Sequence, residues 1–234
     1  MKFKCKNCGA CCRDFGKHKN LPLFEWEAED LRKIAKERGI ELNIKPTKDN
    51  IHLDKKSGEM FSLLYGMFNV PCPFHIDNKC SIYEQRPLIC RQFPLHHTPL
   101  ASKDQPYGAD AFLMCQNFDS ELDFNNHFKE TKEVKKEEII DYLKETYGDC
   151  YDYTLQSENA TQFLRWFIQG LIKEKQINSK EINNKPFKEE NVLPFFDFCL
   201  KHRFIDKKTK EDTIKLLRDK NKLKEFIEDI EKSE

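Results

Sequence analysis

Cys5-Lys6-Asn7-Cys8-Gly9-Ala10-Cys11-Cys12-Arg13 places four thiols within eight residues, and the rest of the fold has to accommodate them. A Cys-x2-Cys turn brings both sulfurs toward one point and leaves backbone N–H groups free to hydrogen-bond thiolates. Gly9, just after Cys8, supplies the permissive backbone that such a turn needs. Adjacent residues rarely direct both side chains onto one tetrahedral ion. Cys11 and Cys12 are therefore expected to serve different ligand sets, unless one of them is spare.

Outward from this run, Cys72, Cys80, Cys90 and Cys115 bring the count to eight of the ten cysteines within the first 115 residues. Thiols clustered in a reducing compartment hold metal more often than they form disulfides. Eight thiols suffice for two four-ligand sites, and the sequence leaves their partition open. The double Cys-x2-Cys spacing with a remote cysteine beside proline, here Pro71-Cys72-Pro73, is how bacterial-type ferredoxins hold an iron–sulfur cluster, although their local Cys-x3-Cys-Pro run is absent. The spacing favours [4Fe–4S] over zinc. Zinc stays in view because four-cysteine sites are a usual structural form for it, and no redox-partner motif is visible.

A four-thiolate site holding Zn²⁺ or [4Fe–4S]²⁺ carries about two excess negative charges, since each thiolate brings one. Arg13, Arg86 and Arg91 sit beside cysteines where a cofactor-binding outer layer of cations would be placed, the alternative being ordinary surface ion pairs. His75, His96 and His97 fall inside the cysteine region. They are candidate substitute ligands, with a surface or capping role as the simpler expectation. Phe74, Tyr83 and Phe93 are expected to shield the site from water. Cys150 and Cys199 lie away from the cluster among aromatic residues and are expected to be small buried hydrophobes.

Charged residues are 34% of the 234-residue chain and hydrophobic residues 38%, with 40 basic side chains against 40 acidic. That balance gives neither a polycation for nucleic acid nor an acidic tail. No run approaches a membrane span, and the start does not resemble a signal peptide, so a soluble, cytoplasmic protein without nucleic-acid or membrane partners is expected. A helix is predicted over 24–38, stopped by Gly39, then a loop or weak strand over 40–58 and a strand over 61–68. A turn at Asp77-Asn78 leads into a short return strand over 80–83, and prolines then forbid long elements up to Cys115. Helical stretches follow near 130–147, 157–176, 190–204 and 208–231. The third carries Leu193, Phe195, Phe196, Phe198, Cys199 and Leu200 as a core face. The expected fold is mainly α with a small, irregular α+β Cys-rich, metal-centred portion. The composition shift divides it into a cysteine-cluster metal-binding domain over 1–120 and a helical domain over 121–234 packed against it.

Cys5-Lys-Asn-Cys8-Gly-Ala-Cys11-Cys12-Arg13, Pro71-Cys72-Pro73-Phe74 and Cys80-Ser-Ile-Tyr83-Glu-Gln-Arg86-Pro87-Leu-Ile-Cys90-Arg91-Gln-Phe93-Pro94 together resemble the CxxCxxCC cysteine-cluster family of YkgJ-type proteins. The resemblance spans residues 5 to 115, with Cys115 matching a later family cysteine. It implies a zinc- or iron-chelating domain. One relative with an assigned role is flagellin lysine N-methylase, which looks like an iron–sulfur protein of this type.

No two glycines are closer than seven positions apart, so neither a dinucleotide fingerprint nor a P-loop is present. The Cys-x3-Cys-x2-Cys spacing usual for radical S-adenosylmethionine enzymes fails at Phe15. Three classes of function follow. One is a redox or cluster-dependent module with an unidentified protein partner, metal delivery being its labile variant. The second is a lysine methylase-like enzyme dependent on the cluster. The third is a structural zinc protein.

Overall fold

The computed structural model describes residues 2–6, 8–13, 20–100, 107, 111–113, 115–129, 131, 134–182 and 187–233. Along the chain run α1 (Ala10–Arg13), β1 (Leu21–Phe24), α2 (Glu25–Glu37), β2 (Ile44–Pro46), β3 (Ile51–Asp54), β4 (Met60–Ser62), β5 (Leu64–Met67), β6 (His75–Ile76), β7 (Lys79–Cys80) and α3 (Leu88–Gln92). Then come α4 (Ser120–His127), α5 (Lys136–Tyr147), α6 (Asp149–Lys173), β8 (Ser179–Glu181), β9 (Val192–Pro194), α7 (Phe195–Lys201), α8 (Lys207–Arg218) and α9 (Lys220–Ser233). About 52% of the described residues are helix and 16% strand, in sheets of four strands or fewer, so the protein is mainly α with a minor β component.

These elements form two compact units interleaved in sequence: Met1–Asp14 with Phe74–Asn159, and Phe15–Pro73 with Ala160–Glu234. The crossings at 14/15, 73/74 and 159/160 do not coincide with the compositional shift near 120, and α6 contributes to both units.

In the second unit, β1, β5 and β2 form an antiparallel sheet, and a four-stranded sheet runs β8-β3-β4-β9 with β9 parallel to β4. The single strand expected over 61–68 is two strands in different sheets. The chain bends at Leu63, where the Ser62 hydroxyl donates to the carbonyls of Leu64 (2.7 Å) and Asn50 (3.3 Å). The helix expected over 24–38 is α2. Its Glu27 carboxylate accepts the Phe24 N–H at 2.9 Å, and Gly39 follows its end in the left-handed region (φ +65°). Phe195, Phe196, Phe198 and Cys199 are fully buried, as expected of a core face, and Phe61 packs on Phe198 with ring centroids 4.6 Å apart. The stretch near 208–231 is two helices, broken at Asp219, whose carboxylate accepts the N–H groups of Asn221 and Lys222 at the head of α9.

In the first unit, Leu95, Phe124, Ile139, Tyr142, Leu143, Tyr147 and Tyr151 make the core, and Phe3 and Cys150 pack against it. The Phe3 N–H donates to the Thr146 carbonyl at 2.8 Å, which ties the residues just before Cys5 to the end of α5. Glu158 accepts both the Thr98 N–H and its hydroxyl at 2.5 Å, anchoring the proline-rich segment to α6.

Glu25 is 3% exposed and accepts the Phe196 N–H at 2.9 Å, with the Lys210 ammonium 3.3 Å away. Desolvation dominates these favourable contacts and pushes its pKa up to about 7. The folded state therefore binds more protons than the unfolded chain between roughly pH 4.5 and 7, and linkage makes stability fall as pH rises through that window. In urea denaturation, Glu25→Gln should flatten this decline by about 1–3 kcal/mol. An unchanged slope would show that Glu25 is not the group that titrates.

Candidate metal centre

The N-terminal loop turns at Gly9, whose φ of +68° lies in the left-handed region. Its carbonyl accepts the N–H groups of Cys12 (3.0 Å) and Arg13 (3.1 Å), winding Ala10–Arg13 into the single turn of α1. The Arg13 guanidinium reaches back to the Cys8 carbonyl at 3.3 Å. Cys5, Cys8 and Cys11 are exposed and Cys12 partly so, so their side chains can rotate without breaking core packing.

A second segment meets this loop. β6 and β7 form a minimal hairpin whose turn residues Asp77 and Asn78 both have positive φ (49° and 59°), the two-residue turn that suits antiparallel strands. Its register opposes His75 to Cys80, so the imidazole and the thiol are cross-strand neighbours. His75 fills the space a side chain at position 9 would need: its Nε2 lies 1.9 Å from where a Cβ on Gly9 would stand. That nitrogen is buried and has no hydrogen-bond partner among the described residues.

A third segment arrives from Cys115–Phe118, a tight turn in which the two end residues are bridged. Its Asn117 amide donates to the Cys8 sulfur at 3.0 Å. Composition and spacing gave no hint of this contact.

Cys150, expected to be a small buried hydrophobe, packs against the core of the first unit. It is only partly buried and stands at the start of α6, where the Cys5 thiol acts on it electrostatically. Burial first, and then Cys5, push its thiol up to about 11, while Arg86 opposes the rise. The link is made through the fold: Phe3 is bonded to Thr146, four residues before Cys150, and Cys5 follows Phe3 by two. No local motif signals it. Cys199, by contrast, is fully buried in the second unit, as expected.

Cys11 and Cys12 do turn toward one another. A hydrogen bond with the Cys12 thiol raises the Cys11 pKa, with Arg86 lowering it. Arg86 thus acts on both Cys11 and Cys150. Its guanidinium lies 3.5 Å over the Tyr83 ring, and its Nε donates to the Tyr83 carbonyl at 2.8 Å. Arg91 has a bracing role: it donates to the carbonyls of Arg86 and Glu84, both at 2.6 Å, and stands 5.3 Å over Tyr153. Tyr83 is 38% exposed and works as a platform for Arg86, whereas Phe74 is fully buried and Phe93 half-buried.

Cys90 lies in α3, between the two arginines, and its N–H donates to the Pro87 carbonyl at 2.9 Å. Cys72 belongs to the second unit, two residues before the chain enters the first at Phe74. His96 and His97 pack on each other, and His97 on Tyr107, whose hydroxyl donates to the His97 carbonyl at 2.9 Å.

Among the described residues, one set of three His, Cys, Asp or Glu donors has all its atoms within 4.8 Å: Glu25, Glu29 and Asp197. The Lys210 ammonium sits among these carboxylates at 3.3, 3.7 and 2.7 Å and supplies their counter-charge. The thiols of the first unit are thus assembled from several segments without being drawn tightly round one point. The donor set still fits a thiophilic metal: soft sulfurs, an amide donor on one sulfur, a nearby guanidinium and an orphaned imidazole nitrogen.

Residues 4–116 match the CxxCxxCC family, described as "Putative zinc- or iron-chelating domain". The match covers just under half of the chain, and the description names a metal role without a reaction. No curated protein and no solved structure matches the chain. A metal-binding cysteine cluster is the class of site that the family and the ten cysteines support.

Gly9→Ala would set a methyl group against His75 and strain a left-handed backbone. Metal content per chain in the purified variant should drop at least about tenfold, in the range seen when supporting residues of metal sites are lost. Cys199→Ser should retain full metal while losing about 1–3 kcal/mol of stability, because it buries a hydroxyl in the core. Equal metal in wild type and Gly9→Ala would separate the Gly9 turn from the site.

Proposed function

We propose that the protein carries a [4Fe–4S] cluster on its cysteine run and serves a redox or cluster-dependent role. The observation that carries this is the folding of the Cys5–Cys12 loop about Gly9 against the His75–Cys80 hairpin and the Asn117 turn. Cys5, Cys8 and Cys11 would hold the cluster with one further cysteine from Cys72, Cys80, Cys90 or Cys115, and Cys12 and the others would complete or brace a second site. Iron–sulfur is favoured over zinc by the double Cys-x2-Cys spacing.

A cluster of this kind, when bound, supplies one-electron chemistry whose potential depends on net charge, hydrogen bonds to sulfur and exposure. This chain's own residues act on each of those quantities. The Asn117 amide withdraws charge from the Cys8 sulfur, and Arg86 offsets negative charge at Cys11 and Cys150. Arg13 and Arg91 hold the loop and the Arg86 segment in place through backbone carbonyls. The exposed Cys5, Cys8 and Cys11 leave the centre within reach of a docking partner, which electron transfer or cluster delivery requires.

Anaerobically purified protein should be brown, with a broad absorption near about 400 nm from thiolate-ligated iron. It should contain iron and inorganic sulfide in equal amounts, and Cys5→Ser and Cys8→Ser should each lose them. A colourless protein holding zinc, unfolded by chelator, would replace this reading with a structural zinc role.

A further inference from the structure

We propose that the second unit carries a ligand site of its own, a cavity between one face of α6 and the paired strands β3 and β8, and that it takes a small apolar α-amino acid. The inference does not depend on the metal-binding reading. The cavity has a volume of about 320 Å³, and every residue lining it belongs to the second unit. Ligand pockets begin near about 300 Å³, so this one suits a small metabolite and not a nucleotide cofactor.

The helical wall follows from sequence spacing. Thr161, Leu164, Arg165 and Ile168 recur at i, i+3, i+4 and i+7 along α6, so they share one face of it. Leu164 and Ile168 are buried, whereas Arg165 is exposed. Phe24, also buried, and Leu63 extend the apolar lining from the strand side. The cavity is therefore apolar at depth, with a guanidinium toward its mouth.

The sheet wall is set by register. His52 and Glu181 oppose each other in the β3–β8 pair, and directly opposed residues of an antiparallel pair project from the same face. Both line the cavity. His52 is 9% exposed, its ring stacked on Phe61 with centroids 5.2 Å apart and its Nδ1 held 3.1 Å from the Ser179 hydroxyl. Burial keeps its pKa below the usual imidazole value against the pull of Glu181. The ring is thus neutral near pH 7 and leaves the Glu181 carboxylate without a counter-charge.

One cation on the helical wall and one anion on the sheet wall therefore line a single cavity, and neither Arg165 nor Glu181 forms an ion pair among the described residues. A carboxylate ligand without an amine would meet Glu181 as a like charge, and an amine without a carboxylate would meet Arg165 in the same way. An α-amino acid carries both complementary groups on one carbon. Its carboxylate matches the fork of the guanidinium, its ammonium pairs with Glu181, and its side chain is left to enter the apolar depth. Arg165 and Glu181 are exposed, so pairing at the mouth costs less desolvation than pairing in a core.

The test is isothermal titration calorimetry of the purified full chain with L-leucine and L-phenylalanine, and with two leucine analogues that each lack one charge, 4-methylpentanoate and 3-methylbutylamine. Wild type should bind at least one of the amino acids saturably, and the analogues about tenfold or more weakly than leucine. Arg165→Gln should weaken amino-acid binding about tenfold and leave 3-methylbutylamine no weaker. Glu181→Gln should weaken it by a similar factor and leave 4-methylpentanoate no weaker. Both positions are exposed, and circular dichroism checks that the variants fold. No saturable binding of either amino acid up to about 10 mM, amino-acid affinity unchanged in either variant, or 4-methylpentanoate binding as tightly as leucine would each overturn the proposal.

Discussion

The contact between the Gly9 backbone and the His75 ring is the constraint on which the site depends. It exists because position 9 has no side chain and a left-handed backbone, and because a two-residue turn puts His75 at the end of a hairpin opposite Cys80. Through it, segments more than sixty residues apart in sequence are held side by side. A loop of exposed thiols has little apolar area with which to order itself. Its geometry comes instead from the Cys12 and Arg13 N–H groups donated to the Gly9 carbonyl, the Arg13 guanidinium on the Cys8 carbonyl, the Phe3 N–H donated to the Thr146 carbonyl and the imidazole in the glycine slot.

Charge is the second organising factor. Several thiolates in one place repel each other and must be offset by donors and cations. Two groups do this without themselves being ligands. Asn117 reaches the Cys8 sulfur from the Cys115 turn, and Arg86 is held flat on Tyr83 while its charge acts on Cys11 and Cys150. Arg91, on two backbone carbonyls, fixes the segment that carries Arg86. The arginine flanks of Cys90 thus divide into one cation acting on thiols and one brace, a distinction that adjacency in sequence does not make.

The legible features were those set by local chemistry. The cysteine run, the helix ended by Gly39, the Asp77-Asn78 turn and the aromatic face of α7 each follow from residue types at short range, and so does the mainly α composition. What escaped notice depends on contacts made across the chain. Leu63 splits one apolar run between two sheets because Ser62 bonds to Asn50, twelve residues away. The residues just before Cys5 are tied to the end of α5 by the Phe3 bond to Thr146, which no local motif signals. The interleaving of the two compact units has no compositional trace, since both contain helices and both contain charged loops.

Hydrogen exchange on the holoprotein, before and after metal removal by a chelator, tests the central claim most directly. If the Gly9–His75 contact joins two parts of one centre, amides of residues 8–13 and 75–81 should lose protection together, while those of α7 keep theirs. Loss confined to residues 8–13, with the hairpin unchanged, would contradict the account.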